Sequence, residues 1–471
     1  MKKELKFPNE FFWGSATSAE QTEPNGHNDH RGGKATTIWD QFFTEDKNRF
    51  FNQQYSQNNF YEKYPEDLQL AKDLKFNSLR ISISWARLLP DGKNLNLEAV
   101  KFYKNIFKEM KKQNLTIFVN LFHFDLPLFL QDLGGWTNKK IVDYYDYYAK
   151  LTFNTFGDDV DYWFTFNEPI VSVECQYWYG LHYPAINNFR MGIISMWNML
   201  VAHHRAVKSF RELNLKSEIG IILNVSPAIP RSNHPKDLEA AHFADLFQWI
   251  PFMDTIIKGT FPKDLIEELK TKKLWIEEYI SVEDKKLFKT QTIDILGINY
   301  YAPSRVRALD YIPDWNGVVT PISHWFNSFN MVGKRMNIYR GWEIYPKAIY
   351  DILTFVKNDY QNIKTFISEN GMGVATEQRF KVSGIIQDDY RIDFYKEHLY
   401  WIHKALEEGS NLIGYHTWSY IDSWSWMNAY KNRYGFIELD LETNKRIFKK
   451  SATFMQQLAS TNILKVDDKT Y

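Results

Sequence analysis

Two short segments each place a glutamate directly after a run of apolar and aromatic residues: Trp163-Phe164-Thr165-Phe166-Asn167-Glu168-Pro169 and Phe366-Ile367-Ser368-Glu369-Asn370-Gly371. Such runs read as buried β-strands, so each carboxylate stands where a strand leaves the core. Pro169 ends the first ladder because it has no N–H to donate, and Gly371 lets the chain turn away after the second. Carboxyl groups facing one pocket from two strands can cleave a glycosidic bond, one protonating the leaving oxygen while the other attacks carbon or activates water. A gap of about 5 Å selects the covalent, retaining route. A lone glutamate at a strand end is more simply a cap or an ion-pair partner. Two of them, with Asn167 beside one and His123 ending another apolar run, favour chemistry.

The two roles make different demands. The acid must hold its proton near neutral pH, whereas the nucleophile must be ionised, so their surroundings must differ. Arg80, within Leu79-Arg80-Ile81-Ser82, is a cation inside an apolar run, and burying it alone would be costly. Pairing it with Glu369 removes that cost and keeps the nucleophile charged, although a purely structural ion pair explains the same residue equally well.

Elements that deliver these residues recur along the chain. Strand-like runs occur at 11–19, 78–85, 116–124, 161–168, 218–229, 294–301, 365–369 and 412–420. Helix-like segments at 61–74, 96–113, 139–156, 193–213, 238–258, 346–356 and 389–408 lie between them, and residues 430–471 supply a last helix. This alternation predicts an α/β fold of parallel βα units. An open doubly wound sheet has the same rhythm, but no G-x-G-x-x-G turn supports it. We therefore expect one (β/α)8 barrel with enlarged βα loops spanning residues 1–471, without linker, repeat or low-complexity tract. In a barrel the C-terminal ends of the strands meet the ligand, and here those ends present Gln21, Arg80, His123, Asn167, Glu168, Asn299, Tyr301, Glu369 and Trp418.

Composition narrows the partners. The 471 residues hold 57 Lys plus Arg and 57 Asp plus Glu, so no global field favours nucleic acid or an anionic membrane. Aromatic residues reach 17%, which suits core packing first and stacking on sugar rings second. The single cysteine, Cys175, forms no internal disulfide, and neither a signal-like segment nor a membrane-length apolar run is present, so the reading is cytoplasmic. No cofactor and no metal are expected: His203 and His204 lie in a helical pattern without partners at ligand spacing. Nothing in the sequence bears on oligomeric state.

The motifs Phe12-Trp13-Gly14-Ser15-Ala16-Thr17, Gln21, Trp39-Asp40, Arg80-Ile81-Ser82-Ile83-Ser84-Trp85, His123-Phe124-Asp125-Leu126-Pro127, Thr165-Phe166-Asn167-Glu168-Pro169, Asn299-Tyr300-Tyr301 and Glu369-Asn370-Gly371 follow one another in that order. With them the sequence resembles glycoside hydrolase family 1, the β-glucosidase, β-galactosidase and 6-phospho-β-glycosidase family, over nearly its whole length. The resemblance implies that Glu168 is the acid/base and Glu369 the nucleophile, with Tyr301 and Arg80 supporting the latter. It also implies that Gln21, His123, Asn167, Asn299, Trp418 and Trp426 bind the sugar, a disaccharide or an aryl β-glycoside.

The same resemblance bears on substrate class. Members acting on plain sugars carry Glu where this chain has Ser425, and the phospho-glycosidases look like this chain. A carboxylate about 4 Å from a phosphate is repelled by about 1 kcal/mol in water and about 4 kcal/mol at an effective dielectric of 20. Ser425 removes that penalty, and Tyr434 resembles the family's phosphate-contacting tyrosine. The usual lysine is replaced by Asn432, flanked by Lys431 and Arg433, so Ser425, Lys431, Asn432 and Tyr434 form the expected phosphate site with its fixed charge displaced. A second departure is the missing glycine after Glu23 and the polar insert 27–34, which is expected to reshape the cavity entrance. Readings left open are a 6-phospho-β-galactosidase, an enzyme of plain sugars, and a catalytically silent carbohydrate-binding relative.

Overall fold

The computed structural model describes residues 3–311 and 318–467. Eight parallel strands close on one another: β1 (Phe12–Ala16), β2 (Ser78–Ser82), β3 (Thr116–Asn120), β4 (Tyr162–Asn167), β5 (Glu218–Asn224), β6 (Ile295–Asn299), β7 (Thr365–Glu369) and β8 (Leu412–Trp418). They pair in chain order, and β8 returns to β1 with Tyr415 opposite Trp13 and Trp418 opposite Ala16. One long helix follows each strand: α1 (Phe60–Asp73), α2 (Leu97–Lys112), α3 (Ile141–Phe156), α4 (Phe189–Glu212), α5 (Pro235–Gln248), α6 (Lys347–Asp359), α7 (Asp389–Glu407) and α8 (Lys450–Thr461). This is the (β/α)8 barrel anticipated from the alternation.

Two periods explain the layering. Helix α2 buries Ala99, Phe102, Tyr103, Ile106, Phe107 and Met110, a three-and-four spacing that lays one stripe on the barrel. The Asn96 side chain accepts from the Glu98 N–H at 3.1 Å and starts that helix. Along each strand the period is two. Leu79 and Ile81 of β2 join the large core beneath the helices, while Ser78 and Arg80 turn into the barrel. The interior is stratified. Phe118, Phe164, Ile222, Ile295 and Phe366 fill its floor as a separate apolar cluster. His416 lies above Phe118 and Phe366, with Nε2 2.8 Å from Ser78 Oγ. Gly14 fits beside this layer because any Cβ would come within 2.4 Å of the Ser78 carbonyl oxygen.

The sequence-based boundaries are corrected in three places. The fifth run ends as a barrel strand at Asn224, and Ala228–Pro230 instead pairs with Ser304–Arg307 in a small sheet outside the barrel. The expected helix 238–258 begins earlier, at Pro235, breaks after Gln248, and resumes at Ile250–Met253 before a π-helical turn at Asp254–Lys258. Before α8, residues 430–449 form short strands, including Ile437–Leu439 paired with Arg446–Phe448. After it, Ile463–Val466 pairs with Lys3–Lys6. The long β6–α6 connection carries a hairpin in which Met336–Asn337 pairs with Trp342–Glu343.

Candidate active site

At the C-terminal end of the barrel lies a cavity of about 410 Å³, and both strand-end glutamates line it. Each is delivered by a local irregularity. The register of β4 on β5 shifts between Phe164 and Asn167, and that of β7 on β6 shifts between Ile367 and Glu369. Such bulges re-aim side chains at the rim of a barrel. Glu168 also adopts φ 47°, ψ 59°, a left-handed conformation that costs a non-glycine residue about 1–3 kcal/mol. Its N–H still reaches the Ile222 carbonyl at 2.9 Å, so the bend leaves no orphaned donor there.

The two carboxylates have different partners. Glu369 forms an ion pair with Arg80, whose side chain is fully buried, and accepts a 2.7 Å hydrogen bond from the Tyr301 hydroxyl on its other oxygen. Arg80 also donates to Ser368 Oγ and, at 3.4 Å, to Asn167 Oδ1. Among the described residues, the Glu168 carboxyl accepts from one amide, Asn299 Nδ2, at 2.7 Å. Burial, and next the negative charge of Glu369, push the Glu168 carboxyl up to about 8, against the opposing pull of Asn299 and Arg80. One carboxyl thus keeps its proton at neutral pH beside another that is paired with a guanidinium.

A polar frame surrounds the pair. Asn167 accepts from Asn299 Nδ2 at 3.0 Å and donates to His123 Nε2 at 3.3 Å, which leaves the His123 proton on Nδ1. Burial, then the nearby Arg80 charge, lower the His123 pKa, so the ring is neutral. The ring lies 5.7 Å from Trp418 with 23° between the planes. Gln21 sits on a short helix after β1, with its amide held by Ser18 Oγ and the Trp424 carbonyl. Asn370 ties the turn after Glu369 to the Tyr300 carbonyl at 2.7 Å and to the Tyr415 hydroxyl at 2.6 Å. The glycine that follows answers a spatial demand, since a Cβ on Gly371 would meet the Trp418 carbonyl oxygen at 2.2 Å. Trp426 lines the cavity and stacks on Trp39 at 4.3 Å.

The expected phosphate residues divide. Ser425 and Tyr434 both line the cavity. Lys431 does not: it is exposed, with its ammonium 4.5 Å from the Phe51 ring centre, where cation–π attraction holds it outside. Asn432 is buried but also stays out of the cavity, because its strand pairs with Ala375 and its amide donates to the Tyr339 carbonyl at 3.4 Å. Arg433 donates to the Leu439 carbonyl at 3.1 Å. The polar insert is likewise elsewhere: Arg31 pairs with Asp29 and Glu62, Lys34 is buried between Glu20 and Asp40, and no residue of 27–34 lines the cavity. Trp424 packs in the core against Phe50 and Tyr55, and His203 bonds Thr165 Oγ1 at 2.7 Å.

Residues that strand-end reasoning missed come mostly from outside the barrel. Asn224 at the end of β5, Ser226 just after it, Gln248 at the end of α5 and Ser304 of the small sheet add polar groups to the cavity, and Arg340 with Trp342 arrives from the β6–α6 hairpin. The available signal was loop length, because a connection far longer than the usual few residues commonly carries function.

The chain matches the model of Glycosyl hydrolase family 1 over residues 3–464 and belongs to that family. It is a glycoside hydrolase. It is 46% identical to the 6-phospho-beta-glucosidase GmuD of Bacillus subtilis (strain 168), across 97% of this chain and 98% of that relative. It is 36% identical to a 6-phospho-beta-galactosidase of Clostridium acetobutylicum, across 96% and 97% of the two chains. Among solved structures, a family 1 β-glucosidase from Thermotoga maritima superposes with a TM-score of 0.87 at 32% identity, covering 98% of this chain and 99% of the other.

The raised Glu168 carboxyl has a consequence for stability. The folded protein retains a proton that the unfolded chain releases above about 4.5, so this group's contribution is complete below that pH and is lost as pH rises through about 8. Glu168→Gln does not titrate. Its Tm relative to the parent protein is therefore expected to rise as the buffer is taken from acidic to mildly alkaline. Scanning calorimetry across that range checks this, and a difference that stays flat with pH would contradict it.

Proposed function

We propose that this chain is a single catalytic barrel that hydrolyses 6-phospho-β-glucosides with retention of configuration. The observation that carries the chemistry is the unequal pair of glutamates in one cavity, one protonated at neutral pH and one paired with Arg80 and Tyr301. Glu369 attacks the anomeric carbon as Glu168 passes its proton to the glycosidic oxygen, the C–O bond to the aglycone breaks, and a glycosyl ester forms on Glu369. Glu168, now a carboxylate, takes a proton from water, whose oxygen attacks the same carbon and frees Glu369. Asn167, beside the acid, bonds the sugar 2-hydroxyl, while Gln21, His123, Trp418 and Trp426 hold the remaining ring.

The substrate class rests on Ser425, which lines the cavity together with Tyr434, and is supported by the 46% identity to a protein named a 6-phospho-beta-glucosidase. A phosphorylated sugar does not cross a bilayer unaided, which supports a cytoplasmic site for the reaction. The test is steady-state kinetics on four chromogenic substrates, the β-glucoside and β-galactoside each with and without a 6-phosphate. The 6-phosphoglucoside is expected to lead; faster turnover of the plain glucoside would reject the proposal, and a lead for the 6-phosphogalactoside would reassign the sugar. Ser425→Glu is expected to lower kcat/KM on the phosphorylated substrate about 100-fold, within the range of one added repulsion near the site. An unchanged preference in that variant would remove Ser425 from the phosphate's surroundings.

A further inference from the structure

A dianionic ligand held by Ser425 and Tyr434 alone has hydroxyl donors but no counter-charge, and the cation expected from the loop after Tyr430 is directed elsewhere. One guanidinium does line the cavity. Arg340 lies on the β6–α6 hairpin with its Cζ 4.1 Å from the centre of the Trp342 ring. Its Nε is buried without a hydrogen-bond partner. Among the described residues no carboxylate forms an ion pair with it, although two other half-buried arginines of this connection, Arg305 and Arg307, are paired with Glu343 and Asp310. A half-buried, uncompensated guanidinium facing a cavity is costly unless a ligand supplies the anion.

Arg340 stands on the same wall as the two hydroxyls. Asn432 donates to the carbonyl of Tyr339, the preceding residue, at 3.4 Å. Asn337, earlier in the hairpin, donates to the Gly373 carbonyl at 3.0 Å, and Gly373 packs so closely on Tyr434 that an added Cβ would meet its Cζ at 2.4 Å. Electrostatics agrees with this placement. Burial raises the pKa of the Tyr434 phenol, and the charge that most opposes the rise is Arg340. The position where a lysine would supply the charge directly is thus occupied by an asparagine that fastens the loop carrying an arginine.

We infer that Arg340 is the cation that recognises the 6-phosphate, with Ser425 and Tyr434 as its neutral partners and Asn432 as the residue that positions its loop. This rests on the 6-phosphate reading given above. A guanidinium offers paired N–H donors matched to phosphate oxygens, and stacking on Trp342 fixes its plane before the ligand arrives. Its partial exposure makes the contact sensitive to salt.

The experiment compares the full-length protein with Arg340→Gln and Arg340→Lys on the p-nitrophenyl 6-phospho-β-glucoside and the plain p-nitrophenyl β-glucoside. In Arg340→Gln the ratio of kcat/KM for the two substrates is expected to fall about 30-fold, the worth of one charge-assisted hydrogen-bonded contact. The loss should fall on KM for the phosphorylated substrate, with a parallel weakening of competitive inhibition by glucose 6-phosphate relative to glucose. Arg340→Lys should recover a good part of it. A parent protein that prefers the phosphorylated substrate and an Arg340→Gln variant with the same preference would overturn the inference while leaving the phosphate reading intact. Equal losses on both substrates in the glutamine and lysine variants would also overturn it, because hairpin packing and not charge would then be at stake. A parent protein indifferent to the phosphate would bring down the underlying reading itself.

Discussion

Glu369→Gln is expected to lower kcat by about 10⁵-fold on any β-glycoside, the scale on which removal of a covalent nucleophile acts. The amide keeps the shape of the side chain but cannot form the glycosyl ester, and it leaves the buried Arg80 charge without its partner. Thermal unfolding of the variant should therefore be recorded beside its kinetics, so that lost chemistry is separated from lost fold. In the parent protein, rapid quenching with a slow-turnover substrate followed by peptide mass spectrometry should find the sugar on the peptide containing Glu369. A variant that turns over within a small factor of the parent, or a sugar adduct on another peptide, would refute the assignment.

Glu168→Gln should have a different signature. With a poorly activated leaving group, such as a sugar, the loss is expected to be about 10³-fold, because no group protonates the departing oxygen. With a strongly acidic phenol as leaving group the first step needs little protonation and should be nearly spared, so that hydrolysis of the ester becomes limiting. The pH profile gives a second reading. With Glu168 as the proposed acid, the rate of the parent protein is expected to fall as pH rises through about 8, and in the glutamine variant that alkaline limb should vanish. A variant that keeps the limb would point to another proton donor in the cavity.

Much of this arrangement was legible in the residue order, for physical reasons that differ from case to case. All eight barrel strands fall within the strand-like runs, because the face that each turns toward the helices must be apolar even where, as in β2, the inward face carries Ser78 and Arg80. The glutamates were found because each interrupts such a run at its end. Arg80 was found because an inward cation needs a partner, and Glu369 provides one. The phosphate wall was harder. Spacing from Ser425 put Lys431 and Asn432 at the expected positions, yet the short pairing of residues 432–433 with 374–375 turns both away from the cavity. Arg340 had no comparable signature. It sits in the loop 338–341 of a short hairpin within a long connection, where no hydrophobic period marks which side chains face the ligand. The 27–34 insert lies away from the cavity for a related reason, since its cations pair with Asp29 and Glu62 and with the buried Glu20 and Asp40. The left-handed backbone of Glu168 was invisible as well, because no glycine announces it.

The packed aromatic layer of Phe118, Phe164 and Phe366 makes the catalytic chamber a blind alley. Whatever is cut loose first must back out through the same doorway that admits the attacking water. Traffic is consequently ordered: the outgoing half clears the threshold, then water steps in. Any alcohol crowding that doorway competes with water for the stranded sugar, so concentrated acceptors should yield newly joined glycosides in place of free sugar.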